Sequence, residues 1–279
     1  YRHREFSDLD VLFEGRRPVE AEGYMTKLIT DRAVQFVEHA AKNDPFFMYV
    51  AFSVPHFPFQ PPGSDSGKMV AKEKLTKGTR KNYVAMLEDM DREVGRILES
   101  LEKRELTKNT LVVFASDHGA IAPGSNAPFR GFKSGLFEGG IRTACMLRWP
   151  GHLPAGVVFD QPAITMDLTT SFIKAGNGKT PDGYKSDGVD VVRHLSTGKP
   201  IPQRTLAWRA KRGDRVWRAI RHADWKLVTR LEEGKYEEWL FDLKNDPAEQ
   251  VDQSENQPQP KADLAKLLAD WEAETKPAR

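Results

Sequence analysis

The sequence is poor in cysteine. Its 279 residues hold one, Cys145, so no disulfide can close within the chain. A single thiol does not separate an oxidising compartment from a reducing one. Long apolar runs are lacking too. No stretch reaches the ~18 apolar residues that a membrane-crossing helix needs. There is no basic run of the kind that marks a nucleic-acid footprint. Lys+Arg and Asp+Glu number 42 and 40, a formal net charge of +2, which reads as a mixed solvated surface. The N-terminus, Tyr1-Arg2-His3-Arg4-Glu5-Phe6, has neither an initiator Met nor an apolar signal core. We therefore expect a chain that starts inside a longer protein. What is present, 39% hydrophobic and 29% charged residues, suits a globular protein with a sizeable core.

Periodicity divides the chain. Residues 1–23 are polar and aperiodic and read as a connecting segment. Leu28, Ile29, Ala33, Val34, Phe36, Val37 and Ala40 recur at helical spacing, and Lys42-Asn43-Asp44-Pro45 stops that helix. Phe46-Phe47-Met48-Tyr49-Val50-Ala51-Phe52 is a short apolar run, expected to be a buried strand. Residues 53–78, rich in Pro, Gly, Ser and Lys, form a long loop. An apolar stripe from Tyr83 to Leu101 predicts a helix over 80–103. Leu111 to Ala115 is the next strand, and residues 141–149 a third. Asp167 to Ala175 reads as a short helix with Asp167 at its N-cap, and 176–204 as a domain junction.

Beyond it, Trp208, Val216 to Ile220, Trp225 to Val228 and Tyr236 to Leu243 read as short strands. Residues 253–260 read as a linker and Ala262 to Glu274 as a terminal helix. The order strand, loop, helix, strand predicts an α/β fold with a largely parallel sheet. A small α+β domain follows it.

Three loops carry chemistry. Ser116-Asp117-His118-Gly119 directly follows a strand, where ligands bind in open α/β sheets. A carboxylate oxygen and an imidazole nitrogen can both ligate a divalent cation. An isolated Asp-His-Gly is nevertheless more often a cap beside a solvated His. Pro55-His56-Phe57-Pro58 sets a histidine, able to donate to an anion or act as a general acid, between two prolines. Phe129 to Arg142 is Gly-rich, and Lys133 in it is a point charge suited to an anionic ester. It lacks the G-x-x-x-x-G-K-[ST] spacing of a nucleotide loop. Glu138 and Arg142, four apart, suit an ion pair with each other.

In combination these segments resemble the formylglycine-dependent sulfatases of the alkaline phosphatase superfamily. Phe46-Phe47 through Pro55-His56-Phe57-Pro58 resembles their "PFF…PHxP" block. Met90 to Leu98 resembles a family helix, and Asn109 to Gly119 the "NT-apolar-SD[NH]G" strand and metal loop. Arg130 to Arg142 resembles "RG-x-K-x-x-x-[FY]-EGG-[IV]-R", closed by Trp149-Pro150-Gly151. Leu240 to Gln250 resembles the "L[YF]DL-x-x-DP-x-E" block of the family's small C-terminal domain.

The resemblance implies a three-layer α/β/α sandwich with a mixed, largely parallel sheet, here incomplete. It also implies a small C-terminal domain with an antiparallel sheet and a terminal helix. The domain boundaries expected are 24–198 and 199–279. It implies that Asp117 and His118 ligate a divalent cation, usually Ca2+, and that Lys133 binds a sulfate oxygen. His56 would contact the sulfate or protonate the departing alkoxide. The substrate would be a sulfated small molecule or polysaccharide, with no nucleic acid and no membrane span. The compartment would be periplasmic, secreted or lysosomal.

The departures are specific. The family's C-x-[PA]-[SA]-R motif, source of the formylglycine nucleophile, is absent from these residues. So are its N-terminal Asp-Asp metal pair and its G-K-W-H-type segment. Formylglycine is therefore expected only upstream, and these residues alone are expected to be inactive. Cys145, within an expected strand, reads as a core residue. A phosphonate or phosphate ester hydrolase of the same superfamily is the alternative, since Asp-His is common there. A non-catalytic degenerate fragment is the third reading. Loops 57–78 and 120–129 are the candidates for substrate selection. A sheet short of its N-terminal strands would expose an edge, so poor solubility is expected.

Overall fold

The computed structural model describes residues 12–40, 44–64 and 78–275. The first eleven residues of the expected connecting segment lie outside them. So do Lys42 and Asn43 of the helix stop, and residues 65–77 of the long loop. The described residues form two compact units. One gathers those up to Leu111 together with Trp149–Leu153, and the other holds Val112–Arg148 and the residues from Pro154 onward.

In the first unit, β1 (Leu12–Glu14) and β2 (Arg17–Val19) form a short antiparallel hairpin. Helix α1 (Met25–His39) buries Thr26, Thr30, Ala33 and Val37; of the apolar stripe its spacing predicts, Ala33 and Val37 are buried, while Phe36 is exposed. Helix α2 (Arg80–Lys103) starts at Thr79, whose side chain accepts from the Asn82 amide at 3.1 Å. α2 packs along α1 and buries Met86, Ile97 and Leu101. Arg96 crosses between them, 2.7 Å from Asp31. Among the described residues, Phe46 to Phe52 has no ladder partner, so the expected strand is not formed there. Its burial still alternates with a period of two. Phe46 turns inward to meet Phe36 of α1 edge-on at 5.5 Å. Phe47 and Tyr49 turn outward and are 71% and 83% exposed. The apolar content reports a strand's pleat; the exposure shows that one face is uncovered by the described residues.

In the second unit, β3 (Val112–Ala115) pairs antiparallel with β4 (Cys145–Arg148), in register Val112↔Arg148 to Ala115↔Cys145. The α/β class is as expected from the sequence. The described ladders are all antiparallel, however. Between β3 and β4 lies a Gly-rich loop with one turn of helix, α3 (Glu138–Ile141), rather than a crossover helix. The expected strand 141–149 is therefore shorter: Ile141 ends α3, residues 142–144 are irregular, and the ladder begins at Cys145. Cys145 is exposed, not packed in a core; among the described residues β4 pairs with β3 alone, and three of its four residues are exposed.

Helix α4 (Thr165–Ala175) is capped at Ile164, with Asp167 one turn in. The Asp167 carboxylate accepts from the Ile164 amide at 2.8 Å and the Val189 amide at 2.9 Å. It thus reaches back over the helix start instead of forming the cap itself. The expected junction contains a further helix, α5 (Val191–Thr197), begun by an Asp190 cap.

Strands β5 (Thr205–Arg212), β6 (Arg215–His222), β7 (Trp225–Glu232) and β8 (Lys235–Asp242) form an antiparallel meander. Two-residue turns join them, and Glu233-Gly234 takes positive φ at both positions, as a twist-matched hairpin requires. The sheet is covered on both faces. Helix α6 (Pro258–Glu274) lays Leu264 and Leu268 on Ile220, Leu227 and Leu240. It starts earlier than its apolar period indicates, because Pro258 fits the first helical turn. The opposite face, with Trp217, Ala219, Val228 and Phe241, takes Leu136 and Phe137 from the Gly-rich loop. That contact anchors the loop on a rigid sheet.

Candidate active site

The loop after β3 is built from backbone contacts. The Ser116 amide donates to the Ala144 carbonyl at 3.2 Å, extending the β3–β4 ladder by one bond. Thr143 Oγ1 donates to the Ser116 carbonyl at 3.1 Å, and Ser116 Oγ to the His118 carbonyl at 3.1 Å. Gly119 then enters a space where side chains cannot follow. A Cβ there would lie 1.8 Å from the Gly139 carbonyl oxygen. Its amide donates to the Gly140 carbonyl at 2.9 Å. Gly139 and Gly140 are equally constrained: a Cβ would fall 2.5 Å from the Gly131 oxygen and 2.2 Å from the Gly135 oxygen, respectively. The glycines of the two motifs therefore mesh, and this explains why both segments need them.

Asp117 and His118 sit at the tip. The Asp117 side chain is 81% exposed, and no helix follows it, so it caps nothing. His118 Nδ1 lies 3.0 Å from the Gly119 carbonyl. A carbonyl only accepts, so Nδ1 donates to it, and Nε2 is turned to the Asp117 carboxylate. Nε2 lies 2.9 Å from Asp117 Oδ2. A backbone carbonyl that fixes a histidine tautomer is the usual support of a metal-binding imidazole. With the Nε2–carboxylate contact exchanged for a cation, the pair would supply two adjacent ligands. A hard cation takes 6–8 ligands, and no group of three such side chains occurs among the described residues.

Lys133 belongs to the same loop cluster. Its amide donates to the Ala120 carbonyl at 3.3 Å. Asn126 braces this region: its Oδ1 accepts from the Ala120 amide at 2.7 Å, and its Nδ2 donates to the carbonyls of Ala120 and Gly131. Ser134, next to Lys133, holds φ +73°, a conformation that non-glycine residues adopt at a cost. The structure thus brings Asp117, His118 and Lys133 onto one braced loop cluster of the second unit.

His56 belongs to the first unit, where it is exposed. Its amide donates to the Ser53 carbonyl at 3.0 Å, and its Nδ1 lies 2.7 Å from the Phe57 carbonyl. By the same reasoning Nδ1 donates, and Nε2 is the free nitrogen. The ring lies 4.2 Å from that of Phe57.

Three supports escaped the sequence reading. Lys226 is fully buried, 2.7 Å from Glu138 and 2.9 Å from Glu249. Glu138 pairs mainly with it, and only at 3.6 Å with Arg142. The signal was available for Lys226: it shares a strand face with core residue Val228, where a lysine is rarely placed unpaired. Asn126 offered no such signal, because its role lies in a loop conformation.

Known proteins resemble this chain in sequence and in fold. The Sulfatase family model matches residues 3–178. The uncharacterized sulfatase YdeN of Escherichia coli (strain K12) is 33% identical over 204 residues, covering 71% of this chain and 36% of its own. N-acetylgalactosamine-6-sulfatase of Mus musculus is 33% identical over 195 residues, covering 67% of this chain and 36% of its own. The chain thus spans well under half the length of these relatives. Among solved structures, Ps i-CgsB superposes with a TM-score of 0.83 at 28% identity, over 95% of this chain and 58% of its own. BT4656, in complex with D-glucosamine-2-N,6-O-disulfate, shares the fold, with a TM-score of 0.73 at 18% identity, over 93% of this chain and 71% of its own. The sulfatase family is generally metal-dependent, which suits the exposed acid–imidazole pair. Meshed glycine loops, a strand-end Asp-His couple and a lysine beside it stand where the matched region runs, and the chain belongs to the sulfatase family.

Proposed function

We propose that these residues carry the anion-binding side of a sulfuric ester hydrolase site. Lys133 offsets negative charge on the sulfuryl oxygens. The family resemblance gives His56 the protonation of the departing alkoxide, a step for which its Nε2 must first take up a proton while Nδ1 stays on the Phe57 carbonyl. Asp117 and His118 hold a divalent cation, with calcium the ion we assign. When bound, such a cation supplies Lewis-acid polarisation of the ester. The division into a catalytic portion at 24–198 and a small domain at 199–279 belongs to the same reading.

One observation carries it. A braced loop cluster holds the Asp117–His118 pair, and Lys133 is bonded through its amide to Ala120 beside that pair, inside the region matched by the Sulfatase family model. The 279 residues contain no C-x-[PA]-[SA]-R motif. Turnover is therefore expected only where a formylglycine is supplied from outside them. A sulfated saccharide is the substrate class we favour, supported by the neocarrahexaose bound to the Ps i-CgsB relative and the disulfated glucosamine bound to BT4656. A periplasmic, secreted or lysosomal compartment goes with that substrate. No helix among the described residues is long and apolar enough to cross a membrane.

Binding tests the reading without turnover. Titrating the chain with a sulfated monosaccharide and calcium, followed by 15N NMR, should shift the amides of 117–120 and 131–135. Lys133→Ala should weaken the saccharide and spare calcium. Shifts scattered over the surface, unchanged by Lys133→Ala, would overturn the assignment.

A further inference from the structure

Glu249 carries unusual costs. It is fully buried, and its backbone holds φ +58°. Burying a carboxylate and twisting a non-glycine backbone are each unfavourable, and together they occur where the surroundings enforce them. Apart from its amide, which donates to the Asp246 carbonyl at 3.2 Å, the groups that Glu249 meets belong to the Gly-rich loop or support it. Its Oε2 accepts from the Glu138 amide at 2.5 Å, at the start of α3. Its backbone carbonyl accepts from Arg130 Nη1 at 3.4 Å. Its Oε1 lies 2.9 Å from Lys226 Nζ, which also bonds Glu138 Oε1 at 2.7 Å. Burial pushes the Glu249 carboxyl up, against the pull of Lys226.

Arg130 is held from a second side. Its guanidinium lies 4.2 Å from the centre of the Phe137 ring and 5.8 Å from that of Trp239. The two ends so fixed, Arg130 and Glu138, flank the segment that contains Lys133. They also set the glycine mesh. The Gly139 amide donates to the Arg130 carbonyl at 2.7 Å, and the Gly119 amide to the Gly140 carbonyl at 2.9 Å. A continuous run of contacts therefore leads from Glu249 through Glu138 and the glycines to Gly119, beside His118.

We infer that Glu249, with Lys226, is a positioning residue: it clamps Arg130 and Glu138 so that the Lys133 loop and the Asp117–His118 loop stay in register. The clamp comes from the small C-terminal sheet and its following loop, which makes that sheet a working part of the site. The inference rests on the proposed sulfate-binding role only for its purpose; the mechanical coupling stands apart from it.

Amide hydrogen exchange on the chain reads the coupling directly. The variants are Glu249→Ala and Glu249→Gln. Glutamine keeps an acceptor for the Glu138 amide but loses the charge. In Glu249→Ala, exchange at Gly119 and Gly139 should accelerate about tenfold or more, as for loss of a charged buried hydrogen bond. The β6–β7 amides of Ala219 and Val228 should change far less. Glu249→Gln should fold even where alanine does not, and should accelerate the same two glycines to a smaller extent. Parallel acceleration of the glycines and the strand amides would mean a merely structural residue and would overturn the inference. So would unchanged glycines in both variants. Selective acceleration in a chain that binds no sulfated saccharide would uphold the positioning role and count against the proposed function alone.

Discussion

Removing Arg204 should expose how much of the second unit depends on one buried carboxylate. Asp167 is fully buried, and Arg204 grips both of its oxygens, with Nη1 at 2.6 Å from Oδ1 and Nη2 against Oδ2. Two backbone amides, of Ile164 and Val189, complete its shell. Arg204→Met would leave the carboxylate buried with those amides alone. Breaking a buried pair typically costs ~3–5 kcal/mol. The surviving amide bonds place the loss near the low end, about 3 kcal/mol. In a unit of this size that is a fall in Tm of roughly 6–12 °C.

The pH dependence carries a sign. Burial alone would raise the Asp167 carboxyl, but hydrogen bonds from Arg204, Val189 and Ile164 outweigh it and hold the group below its ordinary value of 3.8. Its stabilisation is thus present above about pH 4 and disappears as the pH falls through the lowered value. In Arg204→Met, desolvation acts with less opposition, so the carboxyl moves up. The variant's deficit should then shrink as the pH drops from 7 toward 4. Urea unfolding followed by tryptophan fluorescence at several pH values measures both. A deficit below about 1 kcal/mol, as for an exposed pair, or one that is independent of pH, would refute the reasoning.

Gly140→Ala should misplace the Gly-rich loop, since its Cβ would lie 2.2 Å from the Gly135 carbonyl; a stability loss of ~1–3 kcal/mol by urea unfolding is expected. Cys145 should react with maleimide in the folded chain, because it is exposed; protection until denaturant is added would contradict its position at an open strand.

Much of this was legible in residue patterns, and the losses have physical causes. The helices over 25–39 and 80–103 followed their 3.6-residue stripes, and the four C-terminal strands followed aromatic and β-branched clusters. Phe46 to Phe52 carried a strand's composition and alternation but found no ladder partner among the described residues, and composition does not report pairing. The direction of β4 was also hidden, because it depends on how the glycine loop returns. At the site, Asp117, His118 and Lys133 were readable from short motifs. Their clamp was not: the place of Lys226 on a core strand face signals a partner, but Glu138 and Glu249 meet it across sequence distances that no local pattern encodes.

Sulfate-ester hydrolysis is the central claim, and turnover tests it most directly. A protein containing these residues together with a formylglycine-bearing segment should hydrolyse an aryl sulfate in preference to an aryl phosphodiester. Lys133→Ala in it should lower kcat on the sulfate by ~10²–10³-fold, the scale for one lost electrostatic contact. Preference for the phosphodiester, or an undiminished rate in the alanine variant, would contradict the account.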